Sequence, residues 1–157
     1  MIFIYDLDHT IIDSSHRQLT RADGSLDLDH WRENCTRDKI MADTLLPLAK
    51  QWRLHYKRGA TIVVCTARVM GDADRDFLAI HELPCHTILS RPEGNDSPDA
   101  WLKVALLVKY AQMRGISWER FCQTAAMFDD NKGVLKGLSK RGLRCYNAVS
   151  FNERLRA

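Results

Sequence analysis

Five runs rich in β-branched and aromatic residues alternate with helix-like stretches along this chain, and that alternation leaves few folds open to it. The runs are residues 2–6 (IFIYD), 60–65 (ATIVVC), 85–89 (CHTIL), 124–128 (TAAMF) and 143–149 (LRCYNAV). The second is apolar throughout, as a parallel strand covered on both faces must be. Between the runs, Leu45, Leu48, Trp52 and Tyr56 fall near helical spacing and predict a helix over about 40–57, stopped by Gly59. A shorter helix is expected from Asp72 to 81. Ser97 and Pro98 supply a cap and a first-turn proline for a helix to about Arg114. Ser117 caps another, and 131–141 ends at Gly142. Trp52, Trp101 and Trp118 fall on these helices and are expected to pack against the sheet, while His55, His81 and His86 lack metal spacing and are read as surface or packing residues. Strands joined through helices make a mostly parallel α/β sheet, and such sheets bind ligands beyond the carboxyl ends of their strands.

The 157 residues suffice for one domain with its own core, expected over 1–157 with a short flap at about 13–37. At 45% hydrophobic and 27% charged, the chain reads as globular rather than disordered. A net charge of +3 is too small to indicate a polyanionic partner by itself. No apolar run is long enough to span a bilayer, and "MIFIY" lacks the basic start of a signal peptide. Cys35, Cys65, Cys85, Cys122 and Cys145 form an odd, dispersed set without CxxC pairs. That pattern argues against a zinc site and for a reducing, cytoplasmic setting.

The unusual polar residues stand at the ends of the strands. Asp6 and Asp8 close the first run; two residues apart on a strand, they share a face about 7 Å apart. The second run ends in "CTAR", where Thr66 and the neighbouring main-chain N–H groups can hold a phosphate oxygen. The fourth ends in "MFDDN", with Asp129 and Asp130 side by side. At an effective dielectric near 20, two unit charges about 4 Å apart repel by about 4 kcal/mol. Four carboxylates converging on one rim therefore call for a cation, and all-oxygen ligands suit a hard one such as magnesium. Lys103, near the start of the helix after the third run, is preferred over Lys109 as the positive charge beside them because Lys109 lies about two turns farther on.

The order Asp-x-Asp-x-Thr, strand-end Thr, helix Lys and Asp-Asp resembles the haloacid dehalogenase superfamily of aspartyl-phosphate phosphatases over nearly the whole chain. The resemblance implies a Rossmann-like three-layer sandwich with a five-stranded parallel sheet in the order 5-4-1-2-3 and a minimal cap. It also implies Asp6 as nucleophile and Asp8 as general acid and base. Magnesium would be held by Asp6, the Asp8 carbonyl and Asp129, with Asp130 close by or bound through water, and the phosphate by Thr66 and Lys103. His9 stands where many members carry glycine. The stretches "DLDHTIIDSSHR", "RGATIVVCTAR", "SPDAWLK", "MFDDN" and "RCYNAV" further resemble the phosphatase domain of phage-type polynucleotide kinase-phosphatases. That likeness adds Arg17, Arg68 and Asp99 as substrate-binding or orienting residues. No G-x-x-x-x-G-K-[ST] loop accompanies it in the 157 residues.

The short flap leaves the expected site open, which favours a bulky substrate such as a phosphorylated DNA or RNA end. His16, Arg17, Arg21, His30, Trp31, Arg32 and Arg37 in the flap could contact phosphates and stack on a base, and Arg91 is a further backbone contact. The leading expectation is a 3′-phosphatase acting on nucleic-acid ends. The alternative is the same chemistry on nucleotides or another small phosphoester, and the remaining reading is an inactive phosphate-binding module.

Overall fold

The computed structural model describes residues 1–157. In chain order its elements are β1 (Ile2–Tyr5), β2 (Ile12–Asp13), a 3-10 turn (Ser15–Arg17), α1 (Leu28–Glu33), α2 (Arg37–Met41), β3 (Thr44–Leu45) and α3 (Leu48–Lys57). There follow β4 (Thr61–Thr66), α4 (Asp72–Ile80), β5 (Thr87–Ser90), α5 (Asp99–Met113), α6 (Trp118–Thr124), β6 (Ala125–Asp129), α7 (Lys132–Lys140), β7 (Arg144–Asn147) and α8 (Ala148–Arg156).

The five long-range strands form one parallel sheet, β5-β4-β1-β6-β7. Numbered among themselves along the chain, these five strands read 5-4-1-2-3 from the β7 edge, the order the resemblance implies. The small pair β2 and β3 is separate and antiparallel. Alternate side chains on the central strands fill two cores. Tyr5, Ile62, Val64 and Phe128 meet Trp52, Phe77 and Leu78 on the α3 and α4 side. Ile4, Val63, Cys65 and Met127 meet Leu107, Phe121, Val134 and Leu138 on the other. Tyr5 stacks between Trp52 and Phe128 at centroid distances of 5.2 and 4.9 Å. Burying each such ring is worth on the order of 2 kcal/mol. With every strand of the sheet pointing the same way, Asp6, Thr66, Asp129 and Asn147 arrive at one rim.

Three expectations from the sequence need correction. The single helix over about 40–57 is divided into α2 and α3, with β3 between them. Pro47 disfavours helical geometry at Leu46, and Thr44 and Leu45 pair instead with Asp13 and Ile12. The run 143–149 is strand only to Asn147, whose side chain accepts from the Val149 and Ser150 N–H groups and starts α8. Trp52 is fully buried, but Trp101 is 75% exposed and does not pack on the sheet. His55 accepts or donates at the Tyr5 hydroxyl, and His86 Nδ1 accepts from the Ile62 N–H, so both serve packing.

Candidate active site

The first strand continues its ladder past Tyr5: the Asp6 N–H donates to the Phe128 carbonyl at 3.0 Å. The chain then turns back on itself, with the Ile11 and Ile12 N–H groups both donating to the Leu7 carbonyl at 2.9 Å. That loop places the buried Thr10 hydroxyl 3.1 Å from Asp6 Oδ2. Asn152 on α8 braces it from behind, donating to the Thr10 carbonyl and accepting from the Leu48 N–H.

Lys103, on the inward face of α5, donates to Asp6 Oδ1 at 2.7 Å and to Asp129 Oδ2 at 2.6 Å. The other Asp129 oxygen accepts from the Asn131 N–H. Ligand atoms of Asp6, Asp129 and Asp130 lie within 4.8 Å of one another. Burial, then the charge of Asp6, pushes Asp129 up to about 7 despite Lys103. Burial and the charges of Asp6 and Asp129 push Asp130 up to about 8. One lysine facing three carboxylates leaves the cluster short of positive charge, and its donors are all hard oxygens. The residues present therefore fit a magnesium ion.

Asp8 takes another direction. Its carboxylate receives a two-pronged contact from Arg68, Nη2 to Oδ1 at 2.7 Å and Nε to Oδ2 at 2.8 Å, and a 2.6 Å hydrogen bond from the Ser14 hydroxyl. Burial alone would raise this carboxyl, but Arg68 and Ser14 hold it down at about 2. Of the four acidic residues expected at the metal, Asp8 is thus the one whose side chain lies outside the trio. Its expected ligand was the main-chain carbonyl.

Arg68 is itself nearly enclosed, donating also to Asp74 Oδ1 at 2.7 Å and approaching Asp43 Oδ2 at 3.5 Å. Asp43 in turn takes both prongs of Arg17 at 2.9 Å and contacts His16 Nε2 at 2.7 Å. Both side chains of the Arg17–Asp43 pair are fully buried, and Trp31 lies over the Arg17 guanidinium at 4.3 Å. Arg17 was expected to bind substrate. Here it roots the flap instead, because its donors face a buried carboxylate that would otherwise stand uncompensated. Farther out, the ion pairs of this segment are exposed, Arg37–Asp76 at 2.7 Å and Arg32–Asp96 at 3.9 Å, while Ile40 of α2 is buried in the core.

Thr66 is buried at the end of β4, its hydroxyl accepting from the Arg68 N–H at 3.1 Å. Asp99 pairs with Arg91 at 2.8 Å, so of its two expected partners it orients the arginine and not Lys103. Arg91 also donates to the carbonyls of Ala67, Asn95 and Ser97. It fastens the loop before α5 to the loop after β4, and those bonds occupy the donors expected for a nucleic-acid backbone. Sequence reasoning placed Thr10 in its Asp-x-Asp-x-Thr motif without giving it a role, and it missed Ser14, Gln18, Asp43 and Asp74 outright. Only Asp74 carried a local signal, as the third residue of a helix whose preceding Gly71 N–H it accepts.

The sheet order and the acidic rim match the fold of haloacid dehalogenase-like hydrolases. Solved structures share this fold. A haloacid dehalogenase-like hydrolase from Streptococcus pneumoniae matches 97% of this chain and 90% of its own at 12% identity, TM-score 0.64. A structure of the Pnkp1/Rnl/Hen1 RNA repair complex matches 93% of this chain at 19% identity, TM-score 0.59, and this chain spans 41% of that one. An enzyme of the same class from Bacteroides thetaiotaomicron, solved with magnesium and inorganic phosphate, matches 93% of this chain and 92% of its own at 11% identity, TM-score 0.51. The chain belongs to the bacteriophage T5 5′-deoxynucleotidase family, whose model matches residues 1–157. The 5′-deoxynucleotidase of Escherichia phage T5 is 30% identical over 175 residues, covering 97% of this chain and 68% of that relative. No helix is long and apolar enough to cross a membrane.

Proposed function

We propose that this chain is a magnesium-dependent phosphomonoesterase that releases phosphate from deoxynucleoside 5′-monophosphates through a phosphorylated Asp6. The observation that carries the chemistry is the convergence of Asp6, Asp129 and Asp130 on one point, with Lys103 between the first two. The 30% identical phage 5′-deoxynucleotidase supports this substrate class, and on that support we put nucleotides ahead of the polynucleotide ends favoured by the sequence. Magnesium would be held by Asp6, Asp129, Asp130 and the Asp8 main-chain carbonyl, where it offsets the repulsion between an anionic substrate and these carboxylates.

Asp6, steadied at Oδ2 by Thr10, attacks phosphorus in line; the bond to the sugar oxygen breaks and an acyl phosphate forms. Lys103 and Thr66 hold the non-bridging oxygens as charge builds on them. Asp8 gives a proton to the departing alkoxide, then takes one from the water that hydrolyses the intermediate. Arg68 keeps Asp8 ionised in the resting protein, the form suited to the second step. For the first step the proton arrives with the substrate, whose monoanionic phosphate hands it to Asp8 as it binds. Lys103 again neutralises the cluster once phosphate leaves.

The test is phosphate release from a deoxynucleoside 5′-monophosphate and from a 3′-phosphorylated oligonucleotide, each with magnesium and with a chelator. Faster, chelator-sensitive release from the monophosphate is expected, and Asp6→Asn should abolish it. A higher kcat/KM on the oligonucleotide would restore the nucleic-acid end as the substrate. Magnesium-independent phosphate binding without release, unchanged in Asp6→Asn, would leave only a binding module.

A further inference from the structure

His9 has φ +60, one of only two non-glycine residues in the left-handed region. Glycine would occupy this position without strain, whereas a side chain there costs stability. The ring is half-buried, and its Nε2 lies 2.8 Å from Gln18 Oε1. Gln18 Nε2 lies 2.9 Å from Ser14 Oγ, and Ser14 Oγ lies 2.6 Å from Asp8 Oδ1. Four side chains thus form one line from the half-buried His9 ring to Asp8.

The direction of every hydrogen bond in this line follows from its end. Arg68 grips Asp8 with two N–H groups, so the carboxylate is ionised and can only accept. Ser14 must then spend its single proton on Asp8, and its lone pair must accept from Gln18. Gln18 therefore presents its amide NH2 to Ser14 and its carbonyl oxygen to His9. His9 must donate, which places a proton on Nε2 whether or not the ring is charged. A flipped amide or the other tautomer would set acceptor against acceptor.

We infer that His9, Gln18 and Ser14 are positioning residues for Asp8, a directed chain of donors that fixes which carboxylate oxygen is left for proton transfer. Oδ1 is filled by Ser14 and Arg68 Nη2, while Oδ2 accepts only from Arg68 Nε. A carboxylate has about four acceptor positions, so the vacant one lies on Oδ2. Without the chain, Ser14 is free to rotate its proton elsewhere, and the carboxylate can turn about its own axis around Arg68. The left-handed backbone at residue 9 is the cost of starting this chain inside the turn itself. The role assigned to Asp8 rests on the activity proposed above.

The test compares His9→Gly, Gln18→Ala, Gln18→Glu, Ser14→Ala and the His9→Gly/Gln18→Ala double variant. Turnover is read on a deoxynucleoside 5′-monophosphate and thermal stability on each protein. His9→Gly and Gln18→Ala should each lower kcat about tenfold with KM changed by less than about twofold, and the double variant should lose no more than either alone. His9→Gly should melt no lower than the wild type, since it relieves the backbone. Gln18→Glu keeps the shape and the acceptor for His9 but has no N–H for Ser14, so it should lose as much as Gln18→Ala; Ser14→Ala should do the same. Full kcat in His9→Gly, a loss carried by KM, or additive losses in the double variant would overturn the inference.

A stability cycle between Gln18→Ala and Asp8→Ala needs no turnover. The two changes should be non-additive in melting temperature, and additivity would also overturn the chain. A wild type that released no phosphate would refute the proposed activity, and this cycle would still decide the positioning.

Discussion

Lys103 is 2% exposed and holds Asp6 and Asp129 in one grip. Burial works against its charge, but the two carboxylates outweigh it and keep the amine well above the usual lysine range. Replacing it with methionine leaves their charges enclosed without a counter-ion. Lys103→Met should cost the metal-free protein about 3–5 kcal/mol in urea denaturation. It should lower kcat by about two to three orders of magnitude. Magnesium should recover part of the stability and none of the turnover, because the ion replaces the charge within the cluster but not the phosphate donor. Arg17→Met is the contrasting case. It too breaks a buried pair and should cost about 3–5 kcal/mol, but no added cation should restore it, since Asp43 lies with arginines rather than in the acidic trio.

Among the elements, α8 connects the end of the chain to its beginning. Asn152 satisfies one donor and one acceptor from segments more than 100 residues away, the Leu48 N–H and the Thr10 carbonyl. Asn152→Leu, similar in size but without either hydrogen bond, should cost about 2–4 kcal/mol in denaturant unfolding. It should also lower kcat, because the loop carrying Thr10 to Asp6 loses its brace. This helix was also the element least visible in the sequence: "NAVSFNERLRA" follows a β-rich run with no proline or glycine to mark the change, and only the Asn147 cap separates them. The five sheet strands were legible because each is a short apolar run closed by a polar strand end. Asp6, Thr66, Asp129 and Asp130 were legible for the same reason, since topology brings strand ends together whatever the loops do, and Lys103 was legible from its place in the first turns of α5 after the third of these strands. The surroundings of Arg68 were not. Ser14 and Gln18 lie in a segment without periodicity, Asp43 falls in the break of the stretch expected to be one helix, and their partners are decided by how the flap folds back.

For the whole molecule, the acidic rim sets an unusual dependence on pH. Asp129 and Asp130 bind protons more tightly in the folded chain, at about 7 and about 8, than an ordinary carboxyl near 3.8. Their contribution is fully present below about pH 4 and is lost as pH rises through 7 to 8. The metal-free protein should therefore lose melting temperature between pH 5 and 8 on this account, and added magnesium should raise it more at pH 8 than at pH 6. Asp8 acts in the opposite sense: held at about 2, it stabilises the fold above about pH 4 and ceases to as pH falls toward 2. A magnesium-induced shift equal at both pH values would separate the ion from these carboxylates.

The contrast between the sealed Arg17–Asp43 root of the flap and its exposed outer tethers has a mechanical consequence. At physiological ionic strength, screening acts over about 8 Å and reaches water-facing ion pairs far more than enclosed ones. Raising salt should let residues 28–33 swing like a door on a fixed hinge, visible as faster amide deuterium uptake there and none at residues 14–17 or in α2, where Ile40 is buried in the core. The doorway would widen without the frame loosening, so electrolyte alone would tune how large a phosphoester can reach Asp6.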